Sequence, residues 1–127
     1  MVVLLNTHWQ CSWDHMTPDQ RDYSSRMFAA LASPARLHII ERLAVGPASV
    51  KEIAEATGLK QSMTSQHLSV LFVAGLVVCT AEGNMRIYGL RGPRVARMLQ
   101  LAEEFCNAHL DNLRRILAQH AEEGVAS

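Results

Sequence analysis

The sequence predicts a mainly helical domain that carries one β-hairpin, in the order helix, helix, helix, helix, hairpin, helix. Three observations support this fold class. Apolar residues recur at helical spacing in five segments, and Pro or Gly residues separate those segments. A Glu-Gly-Asn turn at residues 82–84 lies between two short runs of strand-forming residues. With 127 residues, 49% of them hydrophobic and 19% charged, the chain has the size and composition of one globular domain.

The chain divides into three parts. Residues 1–16 lack a clean period and are expected to form an N-terminal arm, residues 17–120 the folded domain, and residues 121–127 a C-terminal tail. No run has the length and flanks of a signal peptide or a membrane span, so we expect a cytoplasmic protein. The three cysteines are too widely spaced to indicate a disulfide framework.

The first two helices are delimited by Pro and Gly. Thr17-Pro18 combines a favoured N-cap with proline at the first helical position. Ser33-Pro34 should end the first helix near Ala32 and open the second. Gly46-Pro47 should stop the second helix.

The third and fourth helices are joined by a very short turn. Ser49 and Glu52 form the pattern of a capping box at the start of the third helix, and Gly58 ends it. The fourth helix is predicted from about Lys60 to Ala74. The spacing of the two helices is that of a helix-turn-helix.

The hairpin and the fifth helix complete the chain. Leu76–Thr80 and Met85–Leu90 are the predicted strands, and Pro93 starts a helix that should reach about His120. The apolar set of this helix is wider than one face of a small monomer needs, which indicates a partner helix from a second copy. Its members are Val95, Met98, Leu99, Ala102, Phe105, Cys106, Leu110, Leu113 and Leu117.

Charge is unevenly distributed along a chain whose formal net charge is zero. Residues 56–102 contain five basic residues and one acidic residue, a net charge of +4, whereas residues 1–55 carry −1 and residues 103–127 carry −3. A basic middle between acidic flanks could meet phosphate groups. A solvated surface on a neutral protein would have the same composition.

The fourth helix and the run after it have an unusual pattern, SMTSQHLSVLFVAGLV at residues 62–77. Short polar side chains weaken a helix interior because they compete for its backbone hydrogen bonds. On a helical wheel, Leu68 and Leu71 share a core face, while Ser62 and Gln66 lie opposite in solvent. Such side chains at the first turns of a helix suit base edges and phosphates in a major groove, although a plain solvent face is the alternative.

Three stretches of the sequence carry recognisable motifs. They are ALASPARLHIIERL in the second helix, SVKEIAEATGLKQSMTSQHLSVLFVAGLV across the third and fourth helices, and EGNMRIYGL in the hairpin. Together they resemble the ArsR/SmtB family of winged-helix repressors, over residues 24–110. The family's LADPTRxxIL, SxHLxxLxxxGLV and YxL patterns fall here at Leu31–Leu37, Ser65–Val77 and Tyr88–Leu90.

The resemblance implies a winged helix-turn-helix fold and a homodimer, built from the first and fifth helices, that represses transcription from a palindromic operator. By motif position the residues that contact double-stranded DNA would be Gln61, Ser62, Ser65, Gln66 and His67 on the fourth helix and Arg86 in the wing. For His67 a structural role is the alternative, because it lies on the flank of the wheel. Arg86 would contact phosphate or the minor groove.

The metal sites that the family uses are absent from this chain. Where the third-helix site needs a Cys-x-Cys pair, the sequence has Ser49-Val50-Lys51. The Asp-x-His positions of the fifth-helix site are Gly92 and Arg94, and its later ligand positions are Phe105 and Ala108.

Two other groups of metal-ligating residues remain. They are His8, Cys11 and His15 in the arm, and Cys106 and His109 one turn apart on the fifth helix. Thiolate and imidazole suit transition metals, so in a dimer these residues could converge on a Ni, Zn or Co ion that acts as the effector. The alternative is that the arm is docked by Trp9, Trp13 and Cys11, and that Cys106 is a small buried apolar residue.

Other functions are weaker interpretations of the same sequence. A thiol-responsive repressor would use Cys106 with Cys11, because Glu41 stands where the second-helix cysteine is needed, and an effector-independent repressor would use neither. No positioned nucleophile, base and acid can be traced, and no Gly-rich phosphate loop, so we expect no enzyme. A protein-binding winged helix without DNA activity would lack the salt-dependent DNA affinity of a repressor.

Overall fold

The computed structural model describes residues 15–126, which form five helices and a three-stranded sheet. The elements in chain order are α1 Pro18–Leu31, α2 Pro34–Val45, β1 Ala48–Ser49, α3 Val50–Thr57, α4 Gln61–Val73, β2 Val77–Glu82, β3 Met85–Leu90 and α5 Pro93–Ala126. The predicted order of helices and hairpin is confirmed. No helix in the described range is both long and apolar enough to cross a membrane.

The helix ends follow the capping residues. Thr17 and Gln20 form a capping box at α1, and Ser49 and Glu52 form one at α3, where Ser49 Oγ accepts from the Glu52 amide at 3.2 Å. Gly58 ends α3 in the left-handed conformation, with φ at 76°. Because these ends depend on hydrogen bonds between neighbours in the sequence, the sequence predicted them correctly.

The sheet is antiparallel, with strand order β1-β3-β2. β2 and β3 form the predicted hairpin, although β2 extends to Glu82 rather than Thr80 and starts at Val77 rather than Leu76. The pair of Glu82 with Met85 leaves a two-residue turn, in which Gly83 has a φ of 61°. A glycine with positive φ at the first central position matches a type II′ hairpin turn.

β1 was not predicted from the sequence. It has only two residues, Ala48 and Ser49, which pair with Tyr88 and Ile87 of β3. β1 leads directly into α3, so its pairing with β3 connects the hairpin to the helical part of the domain.

The core lies where α2, α3, α4 and the sheet meet. Its buried side chains include Ile39, Ile40 and Leu43 from α2, Ile53 from α3, Leu68 and Leu71 from α4, and Val77 and Tyr88 from the sheet. At 25 cal/mol per Å² of apolar surface removed from water, each large aliphatic side chain buried here contributes on the order of 2 kcal/mol. The core therefore fixes α3 and α4 to each other and leaves their outer faces free.

The turn from α4 to β2 is held close to α1. Gly75 has a φ of 79°, and a Cβ atom built on it would lie 2.5 Å from the Tyr23 hydroxyl oxygen. The Tyr23 hydroxyl donates to the carbonyl of Ala74 at 3.0 Å, and Arg91 Nε donates to the carbonyl of Gly75 at 2.7 Å. Gly75 is required both for its backbone conformation and for this close approach.

α5 extends beyond the rest of the domain. Val95 is buried and Met98 and Leu99 are half-buried, but every residue from Gln100 to Gly124 is exposed. The helix has 34 residues, about 51 Å at 1.5 Å per residue. It reaches Ala126 rather than the predicted end near His120, because the strong helix formers Ala121, Glu122 and Glu123 continue it.

Candidate nucleic-acid interface

α3 and α4 form a helix-turn-helix in which α4 lies outermost. Residues 58–60 connect the two helices, and the Gly58 amide donates to the carbonyl of Ala54 at 2.9 Å. Lys60 is the N-cap of α4 and makes no capping bond with its side chain. The first amides of α4 are therefore available to an anion, and the exposed Lys60 amine adds positive charge beside them.

α4 has one buried face and one polar face. Thr64, Leu68 and Leu71 are fully buried, and the helical wheel predicted this for Leu68 and Leu71. The solvent side of its first two turns carries four exposed polar side chains, namely Gln61, Ser62, Ser65 and Gln66, of which Ser62 and Gln66 lie opposite the core. The side chains of Gln61, Ser62 and Gln66 make no hydrogen bond or ion pair with any of residues 15–126, so their donors and acceptors face solvent.

His67 lies apart from this polar face. Its ring is half-buried, and its Nδ1 atom lies 3.4 Å from Nη1 of Arg36 in α2. The structure thus leaves Gln61, Ser62, Ser65 and Gln66 exposed in the first two turns of α4, whereas His67 contacts Arg36. Arg36 was not predicted as a functional residue, although it stands inside the SPAR segment of the second-helix motif.

The wing carries the remaining candidate residue, Arg86. It is exposed on β3, pairs across the hairpin with Ala81, and its guanidinium lies near enough to the Tyr88 hydroxyl to lower the pKa of Tyr88. Burial raises the pKa of Tyr88, and the thiol of its cross-strand neighbour Cys79 raises it further, while Arg86 opposes the shift. Tyr88 therefore stays uncharged at neutral pH.

The candidate metal ligands are only partly within the described residues. His8 and Cys11 lie outside them, while His15, Cys106 and His109 are exposed. His109 stacks on Phe105 of the same helix, with ring centroids 6.3 Å apart. Within residues 15–126 there is no group of three or more His, Cys, Asp or Glu side chains placed to hold a metal ion.

Comparison with known proteins agrees with this architecture. Residues 33–78 match the family model described as bacterial regulatory protein, arsR family. The chain is 37% identical over 89 residues to the HTH-type transcriptional regulator Rv0324 and 44% identical over 73 residues to NmtR, both of Mycobacterium tuberculosis. These matches cover 70% and 58% of this chain, and only 39% and 61% of the length of the two relatives. The chain is also 36% identical over 81 residues to a probable mercury resistance operon repressor of Streptomyces lividans. That match covers 64% of this chain and 65% of the repressor.

One solved structure is matched over almost the whole length of its chain. It is the solution structure of the homodimeric winged helix-turn-helix DNA-binding domain of Mb0332 from Mycobacterium bovis, described as a possible ArsR-family regulator. The identity is 32%, the TM-score is 0.69, and the match covers 78% of this chain and 94% of that chain. The fold is thus a winged helix-turn-helix, in which α4 is the second helix of the motif and β2–β3 the wing. The chain belongs to the ArsR family of bacterial regulatory proteins.

Proposed function

We propose that the protein is a DNA-binding transcriptional repressor of the ArsR type, which acts in the cytoplasm as a homodimer on a palindromic operator. The observation that carries this proposal is the polar face of α4, defined by Gln61, Ser62, Ser65 and Gln66. Four exposed amide and hydroxyl side chains lie at the uncapped start of a helix whose opposite face is buried. Amides and hydroxyls in this arrangement can read base edges while the helix start contacts phosphate.

Arg86 and Lys60 supply the charge that such binding needs. The chain as a whole is neutral, so DNA affinity has to come from local positive charge. Lys60 stands at the start of α4 and Arg86 on the wing, and both are exposed. His67 is assigned to the protein side of α4 rather than to base reading, because its ring already contacts Arg36.

Selection of duplexes from a random-sequence DNA pool tests DNA binding directly. We expect a palindromic consensus with two half-sites, because a two-fold dimer presents two copies of α4. The affinity of the selected duplex should fall steeply as salt rises. Recovery of no consensus, together with affinity independent of salt, would favour the protein-binding winged helix instead.

The homodimer is proposed from the exposed apolar residues of α5. Leu101, Phe105, Leu110, Leu113, Ile116 and Leu117 are each at least 40% exposed on a helix that leaves the domain. Leu101 and Phe105, and then Leu110, Leu113 and Leu117, are three or four residues apart, so they form a stripe that a second copy would cover. A monomeric mass at micromolar concentration by light scattering would contradict this.

For the effector we propose a transition metal ion, Ni, Zn or Co, bound by the arm together with α5. The ligands would be His8, Cys11 and His15 with Cys106 and His109, whose sulfur and nitrogen donors suit these ions. Cys106 and His109 are exposed one turn apart, and His15 is exposed close to the start of α1, so all three are accessible. The relative named as a probable mercury resistance operon repressor supports a metal effector in this family.

Removal of the proposed arm, residues 1–16, separates the metal site from the DNA-binding domain, residues 17–120. We expect the shortened chain to keep its affinity for DNA and to lose stoichiometric binding of Ni or Zn in calorimetry. Cys106→Ser should weaken metal binding in the full-length chain, with Cys79→Ser as the matched control. Metal binding that survives the truncation would exclude the arm, and DNA release by a persulfide donor alone would favour a thiol-responsive repressor.

A further inference from the structure

Arg36, at the start of α2, joins the ends of two other helices. Its Nε donates to the carbonyl of Ala30 and its Nη2 to the carbonyl of Ala29 at 3.5 Å, both in the last turn of α1. On the other side, its Nη1 lies 3.4 Å from Nδ1 of His67 in α4. A single guanidinium therefore connects the C-terminal end of α1 with the middle of α4.

The packing of α1 against α4 is incomplete on one side, although Ala30 and Leu31 of α1 are buried in the same core as Leu68 and Leu71 of α4. A cleft of about 500 Å³ lies between the two helices, lined by Tyr23, Ala29, Ala30, Arg36, Val70 and Val73, among others. Val70 is 42% exposed and Val73 is 86% exposed, so neither is packed firmly against α1. Two polar ties border this cleft. One is the Tyr23 bond to Ala74 at the end of α4, and the other is the contact of Arg36 with His67.

The contact with Arg36 determines the state of the imidazole. A guanidinium has only donors, so Nδ1 of His67 must hold a lone pair, and the proton of the neutral ring lies on Nε2. The link therefore requires the Nε2–H tautomer of His67, with Nδ1 as the acceptor.

We propose that Arg36 and His67 are positioning residues for DNA recognition, which hold the polar face of α4 at a fixed angle to α1. Gln66, one residue before His67, belongs to that face and is exposed. Rotation of α4 after loss of the link would misplace the base-reading side chains, while phosphate contacts by flexible basic side chains would tolerate it. This inference rests on the proposed DNA binding, because its consequence is sequence discrimination.

The test compares two variants of His67 with the wild type. His67→Phe keeps a ring of similar shape and removes the acceptor, whereas His67→Asn places an amide oxygen near the position of Nδ1. His38→Phe is the matched control, since His38 is an exposed imidazole on α2. The measured quantity is discrimination, the affinity for the selected duplex divided by that for a random duplex. It is measured at a temperature at which every variant is folded.

We expect His67→Phe to lower discrimination about fivefold or more, because the loss of one base contact has an effect of this size. The affinity for random DNA should stay unchanged. His67→Asn and the control should keep wild-type discrimination. A purely structural role would lower the melting temperature without changing discrimination, which would overturn the proposal. Equal losses in His67→Phe and His67→Asn would also overturn it, because His67 would then act through something other than its acceptor.

The imidazole tautomer gives a readout that does not depend on DNA. In nitrogen-15 NMR spectra of the DNA-free protein, His67 should be the Nε2–H tautomer, and Arg36→Lys should shift it toward a mixture. The opposite tautomer in the wild type would refute the link even if DNA binds as proposed. Failure of the wild type to bind DNA selectively would refute the proposed function and leave the NMR result to decide on the link.

Discussion

The base-reading role of α4 can be tested by the double substitution Ser62→Ala and Gln66→Ala. Both side chains are exposed on the polar face and make no hydrogen bond with another of residues 15–126. Removing them therefore leaves no buried group without a partner. Because alanine is the best helix former, the free energy of unfolding should rise by up to about 0.7 kcal/mol for each substitution, or stay unchanged.

The expected loss of DNA affinity is much larger than this stability change. One bidentate contact to a base contributes about 1–3 kcal/mol of discrimination. A homodimer presents two copies of α4, so loss of one such contact per copy weakens operator binding by about 2–6 kcal/mol, which is at least about 30-fold. Affinity for random DNA should hardly change, because we propose that the phosphate contacts come from Lys60, Arg86 and the helix start.

Fluorescence anisotropy with the selected duplex and with a random duplex measures both affinities, and circular dichroism measures the melting temperature. The matched control is Ser25→Ala with Gln119→Ala, an exposed serine and glutamine on α1 and α5 that lie outside the polar face. Operator affinity within twofold of wild type, in a variant that melts normally, would show that α4 does not read DNA.

Three further predictions concern the wing, the dimer and a helix cap. Arg86→Ala should weaken binding to all DNA alike and reduce the slope of log affinity against log salt by about 1 per protomer, whereas a change confined to the operator would assign Arg86 to base reading. Leu113→Glu should convert the dimer to a monomer of 14.1 kDa in light scattering, with the neighbouring exposed Arg114→Glu as control. The hydrogen bond from the Ser49 amide lowers the pKa of Glu52, so its contribution to stability is present above its ordinary pKa of 4.5 and is lost as pH falls through the lowered value. Urea unfolding between about pH 6 and pH 3 should therefore show a smaller loss of stability in Glu52→Gln than in wild type.

The features that the sequence predicted are those set by near neighbours. The capping box of Ser49 and Glu52 and the left-handed Gly58 determine both ends of α3, and each depends on residues within a few positions. The buried and polar faces of α4 follow from helical periodicity alone, so Leu68 and Leu71 were placed correctly.

The features that the sequence did not predict depend on distant contacts. β1 exists because Ala48 and Ser49 meet the free edge of β3, which arrives almost forty residues later in the chain. Arg36 gave no signal as a link, because an arginine near a helix start has the same local pattern whether it faces solvent or bonds another helix. Its partners Ala30 and His67 are six and 31 residues away, and only the packed domain brings them together.

The link through Arg36 also bears on how an effector could act on DNA binding. The arm precedes α1 directly, and α1 and α5 are the helices through which we propose dimerisation. A ligand that ties the arm to α5 changes DNA affinity only if it favours one arrangement of the two copies of α4 over another. The end of α1 is bonded to Arg36 through Ala29 and Ala30, and Arg36 meets His67 beside the polar face of α4. If α4 reads DNA as proposed, a shift of α1 can reorient α4 through these polar contacts, which border the cleft between the two helices.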